Sequence, residues 1–411
     1  MDRAESCFLT SLGCALKGIP MTDVAGLSAE EWQKVFRLAS MHHVLPLVVE
    51  AVCRLPELRD NALLQSSRQL VRQQVFLQTQ KSAGFLTLLQ QLDLAGVHPL
   101  VVKGIICRNL YPKPDHRFSS DEDLLVRPED LDRCRAVFAQ TGLATTFSPE
   151  QQLDSYEIPY RQKDGPLYIE LHRYLFPPES EAYGHLNTFF ENAHNRAVCV
   201  EVSGIDVCTL EYTDHLFYLI CHALKHFLHS GFGIRQVCDI LMFTQTYGAR
   251  IDWPVFLENC RKIHAFGFTA SLFRIGQRHL GFRCDICPPE LSAMYIDEMP
   301  MLEDLLQAGV YGSSSESRQH SSNITLDAMA SRLQKREARN PLLLSLFPPA
   351  QKLQHRYSYL KDRPWLLPAA WVSRVGTYCR GALRKPSSAA DALKLGDERI
   401  ALLSYYGILD P

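Results

Sequence analysis

The sequence predicts an α+β protein: a mixed sheet with helices in the middle of the chain, flanked by N- and C-terminal helical regions. Three observations predict it. Apolar residues recur at helical spacing up to about residue 95 and again from Thr213 onward. Between them the pattern changes to short apolar runs, HPLVVKG, DEDLLVRP and PLYIELHRYL, which read as strands. Turn residues punctuate the middle region, KDG in one place and Ser203-Gly204 in another, as hairpins require. The organisation expected is a helical region over 1–80, a sheet domain over 81–210 and a second helical region over 211–411.

The elements follow in order. EEWQKVFRLASMHHVLPLVVEAVCRL is helical, with Ser28 placed to cap it ahead of Glu30 and Glu31. QVFLQTQKSAGFLTLLQQLDLAG is a second helical stretch that stops at Gly96, a residue type that ends helices. RPEDLDRCRAVFAQTGL is an amphipathic helix with Pro at its start and Gly after its end. SYEIPYRQ pairs with PLYIELHRYL across KDG, and RAVCVEVSGIDVCTL repeats the hairpin signal. TDHLFYLICHALKHFLHSG and GIRQVCDILMFTQTYG are two strong helices, and WPVFLENCRKIHAFGFTASLFRIGQRHLG adds one or two. YGSSSESRQHSSNITL is Ser-rich and polar, and predicts a mobile loop near 312–325. Residues 351–386 are basic and aromatic, but the apolar LLPAAWV within them predicts packing onto the sheet domain rather than onto a membrane or nucleic acid.

The bulk numbers exclude more than they assert. The chain has 411 residues, with 43 Lys and Arg against 45 Asp and Glu. That near balance argues against a dedicated nucleic-acid binder. Thirteen cysteines are scattered without a framework, and the N-terminus lacks a signal-peptide core, so reduced thiols in the cytoplasm are expected. No apolar run approaches the length of a membrane span. Cys284 and Cys287 form a lone C-x-x-C, which lacks the second pair a zinc site needs.

The informative stretch is KGIICRNLYPKPDHRFSSDEDLLV, Lys103 to Val126. Side chains alternate along a strand, so Asp121 and Asp123 share one face and Glu122 takes the other. Paired carboxylates repel unless a cation lies between them, and Mg²⁺ (or Mn²⁺) is the natural one. Glu170, in LYIELH, is placed to complete the set from a neighbouring strand, with His172 on its face. Lys103-Gly104 sits where a strand turns into a helix, a setting that suits phosphate, with Arg117 and Ser120 nearby. Such an arrangement suits nucleotidyl transfer, with a carboxylate activating the incoming hydroxyl.

These residues also resemble a family. Trp32, Ala39, His42, Val44, Pro46 and Leu47, then VVKG, LYP, Arg117, SDEDLLV and IELH, are similar to the bacterial family of uncharacterised nucleotidyltransferases in the polymerase-β-like superfamily. The likeness continues through His222, His226, GIRQVCD and RYSYLKDRPWLLPAAWVSR. It implies a polymerase-β-like nucleotidyltransferase palm with metal at Asp121, Asp123 and Glu170. From the residues themselves, the nucleotide of an NTP donor is expected to meet Lys103, Gly104, Arg117, Ser120 and His172. The chain departs from the superfamily in having Lys103-Gly104 where Gly-Ser is usual, and Glu122 where an apolar residue is usual.

The flanking helices add His222, His226 and His229 on one face, and Arg235 with Asp239 four residues on. The first set reads as a polar face packed near the cleft rather than a zinc site, and because the resemblance places this helix against the palm, a substrate-facing role for His222 or His226 stays open. The second pair can bond to each other or aim Arg235 at phosphate. Three activities remain open from sequence: a transferase of EC 2.7.7 type acting on a small-molecule acceptor, an inactive palm serving as a scaffold, and a toxin-like enzyme that nucleotidylates tRNA or protein.

Overall fold

The computed structural model describes residues 1–411 except 23, 25, 230, 284–286, 310–315, 335–349, 354–356, 361–362, 374–386 and 410–411. The N-terminal region is helical: α1 (Arg3–Leu16), α2 (Ala29–Met41), α3 (Leu45–Val52) and α4 (Ala62–Leu94). Ser28 caps α2 in a reciprocal pair with Glu31, each side chain bonding the other's backbone N–H. α4 is 33 residues long and passes without a break through residue 80, where sequence suggested a boundary. Gly96, at φ +68°, ends it in the left-handed region.

The sheet domain alternates strands and helices: β1 (Leu100–Val102), α5 (Gly104–Arg108), β2 (Glu122–Leu125), α6 (Leu131–Gln140), β3 (Leu143–Ala144), α7 (Pro149–Asp154), β4 (Glu157–Gln162) and β5 (Tyr168–His172). The strand order is β1-β2-β5-β4-β3. β2 runs antiparallel to β1 and parallel to β5, so the sheet is mixed. A separate hairpin, β6 (Val198–Val202) and β7 (Ile205–Thr209), follows.

Helices return with α8 (Tyr212–His229), α9 (Ile234–Tyr247), α10 (Trp253–Lys262), α11 (Phe266–His279), α12 (Pro289–Ala293) and α13 (Met299–Ala308). The Ser-rich stretch expected to be a mobile loop near 312–325 is instead helical from Glu316, in α14 (Glu316–Leu333); residues 310–315 lie outside the described residues. Neither Gly nor Pro interrupts 316–333, and Ile324, Met329 and Ala330 are buried, so packing overrides the weak helix preference of serine. α14 packs along the helix Ser387–Tyr405 and against α8.

One apolar core runs from Ala4 to Ile408 and joins sheet and helices. Within the basic aromatic segment, Leu353, Leu360 and Ala370 form a small cluster of their own instead of joining that core. Residues 374–386, and Cys284 of the C-x-x-C, lie outside the described residues. Arg399 reaches back to donate to the carbonyls of Phe227 and His229, two acceptors that the last turn of α8 leaves open. Among the described residues no helix is long and apolar enough to cross a membrane.

Candidate active site

Register brings the acids together. Val102, Asp123 and Glu170 are direct partners across β1, β2 and β5. Neighbouring strands lie about 4.8 Å apart, so side chains on one face of partnered positions meet. His172, two residues beyond Glu170, shares its face. Ligand atoms of Asp123, Glu170 and His172 all lie within 4.8 Å of one another. His172 Nε2 is 3.1 Å from Asp123 Oδ1 and 3.7 Å from Glu170 Oε2. Lys103 Nζ is 3.1 Å from Asp123 Oδ2, an ion pair outside hydrogen-bond geometry.

Charge is balanced inside this group. Burial penalises the Asp123 carboxylate, but Lys103 and His172 outweigh that and hold its pKa well below the usual range. Burial works against the His172 imidazolium too, yet its bonds to Asp123 and Glu170 push it up to about 9. Lys103 is likewise raised, with Asp123 overcoming burial. Glu170 goes the other way from Asp123: burial raises it, and the neighbouring acids add to that.

Glu122 faces the opposite side and is fully buried. On that face it is engaged rather than idle. Its Oε2 accepts the backbone N–H of Ile105 at 2.8 Å, and its Oε1 meets Arg108 at 2.7 Å. Arg108 also donates to Ser119 Oγ. Gly104 belongs to this anchor. A Cβ there would lie 2.1 Å from Glu122 Oε2, and φ is +39°. The sequence suggested that the α5 N-terminus would receive a phosphate; the protein's own Glu122 carboxylate already bonds its free N–H.

Lys103 sits at φ +58°, an unusual conformation for a residue with a side chain. A chain of bonds holds it. The Lys103 N–H donates to His215 Nε2 at 3.4 Å, His215 Nδ1 is 3.0 Å from Thr209 Oγ1, and Thr209 donates to the Val101 carbonyl at 2.6 Å. Thr209 spends its proton on Val101, so His215 Nδ1 must donate to it, leaving Nε2 free to accept. His215 is therefore neutral, and burial lowers its pKa to about 3. The sequence held the signal: His215 lies seven residues before His222 on the same helical face.

α8 and α9 form the opposite wall. Lys103 Nζ is 3.0 Å from His222 Nε2, which is 3.2 Å from His226 Nε2. Burial, then Lys103, keeps His222 well below its ordinary pKa, so it accepts from the ammonium. Burial likewise takes His226 down to about 3. Lys225 lies 5.7 Å above the Tyr156 ring, and no carboxylate among the described residues is within ion-pair distance of it.

Arg235 and Asp239 do not pair with each other. Arg235 donates to the Phe118 carbonyl. Asp239 takes Arg117 through both oxygens, with Nε at 3.0 Å, and accepts from Tyr111 at 2.8 Å. Helical spacing permitted the Arg235–Asp239 pair, but Arg117 enters from a loop and meets both Asp239 oxygens side-on, a geometry a lysine could not match.

The two walls enclose a cavity of about 230 Å³. Lys103, Gly104, Arg117, Asp121, Asp123, Glu170, His172, His222, His226, Arg235 and Asp239 all line it. Ser120 does not; it is exposed and bonds Asp121. Asp121 lines the cavity just ahead of β2 and outside the Asp123–Glu170–His172 group. Sequence reasoning missed Tyr156, Glu157 and Tyr218, which also line it, because nothing in their spacing distinguishes them from core or surface residues.

No curated protein and no solved structure matches the chain. The model of the family described as "Uncharacterised nucleotidyltransferase" matches residues 28–281. That span opens at the cap of α2, closes just after α11 and holds every residue that lines the cavity, and the chain belongs to this nucleotidyltransferase family.

Proposed function

We propose that the protein is a divalent-metal-dependent nucleotidyltransferase of EC 2.7.7 type with a polymerase-β-like palm, acting in the cytoplasm. It moves NMP from an NTP to an acceptor hydroxyl and releases pyrophosphate. The observation that carries this reading is the partnered Asp123 and Glu170, with His172, facing a cationic wall across one cavity.

The donor set fits a metal ion. Two carboxylates, Asp123 and Glu170, converge beside His172, and Asp121 lines the same cavity. Carboxylates suit Mg²⁺ or Mn²⁺. When bound, the ion neutralises triphosphate charge and polarises the reacting phosphoryl group. Asp121, Asp123 and Glu170 would hold it. Glu170, whose burial strengthens its hold on a proton, would accept the proton of the acceptor hydroxyl. Lys103, Lys225 and Arg235 would face the phosphates, with His222 and His226 beside them. Arg117 already has Asp239, so its part is to fix the cavity floor. The acceptor proposed is a small molecule, which the cleft between the sheet domain and α8–α9 can admit.

A thermal-shift panel tests the reading: each NTP with and without Mg²⁺ or Mn²⁺, beside Asp123→Asn. Metal-dependent stabilisation by an NTP, lost in the variant, is expected. Absence of any such shift would sink it. One observation favours the scaffold alternative: Lys103 seats a cation against Asp123 within the protein itself. On that reading metal adds nothing, and the same panel separates the two.

A further inference from the structure

The hairpin β6–β7 carries two free cysteines that face each other. Cys199 and Cys208 are direct partners in its register, and their sulfurs lie 3.1 Å apart. The turn explains the approach. Ser203 and Gly204 both have positive φ, +53° and +80°, as the tight two-residue hairpin turn requires. Such a turn makes Val202 and Ile205 a hydrogen-bonded pair. Alternation then makes Cys199–Cys208, three pairs back, a non-hydrogen-bonded pair, where Cα atoms are about 4.5 Å apart and side chains are closest. That separation falls within the range a disulfide spans.

The same face is open. Val200, Val202, Val207 and Thr209 point into the protein and are buried. Cys199 points outward and is exposed, Cys208 is half-buried, and Glu201 and Asp206 share their face. Six other cysteines, Cys7, Cys107, Cys134, Cys221, Cys238 and Cys260, are buried.

We propose that Cys199 and Cys208 form a reversible cross-strand disulfide by exchange with a small-molecule disulfide, with Cys199 attacking first. The Cys199 thiol loses its proton and attacks one sulfur of the small disulfide. One small thiol leaves and a mixed disulfide remains on Cys199. The Cys208 thiol then loses its proton, attacks the Cys199 sulfur and expels the second small thiol. Two protein thiols are oxidised and one small disulfide is reduced to two thiols, so electrons and protons balance. Exposure sets the order. Burial, with the Cys199 neighbour, also pushes the Cys208 thiol up to about 12, so little thiolate is present there until the mixed disulfide is held against it.

The site has a place in the fold. Cys208 precedes Thr209, whose hydroxyl belongs to the bonds that hold Lys103. Their side chains point to opposite faces of β7, so the disulfide closes the hairpin without displacing that network.

The full chain, reduced and native, is treated with 2-hydroxyethyl disulfide, an uncharged probe suited to a face that carries Glu201 and Asp206. It is then digested without reductant by cleavage after Glu201, which puts the two cysteines on separate peptides. The expected product is those peptides joined, lighter by two hydrogens and released by reductant. Cys208→Ser is expected to stop at the mixed disulfide on Cys199. Cys199→Ser is expected to label at Cys208 at least about tenfold more slowly. Half-buried Cys14 and Cys53 report background labelling. Separate adducts on Cys199 and Cys208 in the wild-type chain, or linkage only in denaturant, would overturn the proposal. Equal labelling rates in the two serine variants would overturn the order of attack.

Discussion

Glu122 and Asp123 are adjacent acids on one strand, both buried, and they have opposite fates. Behind the sheet, Glu122 is closed off by the Ile105 N–H and Arg108. In front, Asp123 meets Lys103 and His172 directly, beside a cavity with room left in it. The difference lies in what the partners can do when the charge goes. Arg108 is buried and has nowhere to turn. Lys103 and His172 line a cavity that admits water or a ligand. A buried acid is structural when its partners are trapped and available for chemistry when they are not.

The strongest way to break this contrast is to neutralise each acid in turn. Glu122→Gln strands Arg108 and is expected to cost about 3–5 kcal/mol, read as a lower midpoint in chemical denaturation. Asp123→Asn is expected to cost less than half as much by the same measurement, while metal-dependent NTP stabilisation disappears. Equal losses would mean that both faces are merely structural. Gly104→Ala sharpens the rear face: its Cβ meets Glu122 Oε2, and φ is positive. A loss of about 2 kcal/mol is expected. Combining it with Glu122→Gln should give less than the sum, since both disturb one contact.

The smallest effect is in pH. His215 is neutral in the fold with a pKa of about 3, against about 6.5 when unfolded. The unfolded chain therefore binds the extra proton first as pH falls. This stability is fully present above about 6.5 and drains away toward pH 3, by at most about 2 kcal/mol between 6.5 and 5. His215→Gln should flatten that part of the stability–pH curve. An unchanged slope would place His215 outside the Lys103 network.

Much of this was legible in sequence where local chemistry decides. Ser28 and Gly96 mark helix ends through their own bonding and backbone freedom, and KDG and Ser203-Gly204 mark turns for the same reason. Alternation also assigned Asp123 and Glu122 to opposite faces. What alternation cannot give is depth. It says that Glu122 points away from Asp123, not that Arg108 and Ile105 wait there. The Arg117–Asp239 pair joins residues 122 positions apart, and no periodicity encodes that distance. The Ser-rich segment failed for a related reason: its helix is held by α8 and the helix 387–405, neither of which is a neighbour in sequence.

That last contact has a consequence for how the protein is made. Arg399 bonds the carbonyls at the end of α8, the helix that carries His222, Lys225 and His226. Synthesis runs from the N-terminus, so the sheet, its acids and α8 emerge some 170 residues before Arg399 does, the separation between His229 and Arg399. Until then the end of α8 lacks its lock. The acids are in place early on the nascent chain, and the wall that faces them is fastened only once residue 399 has emerged.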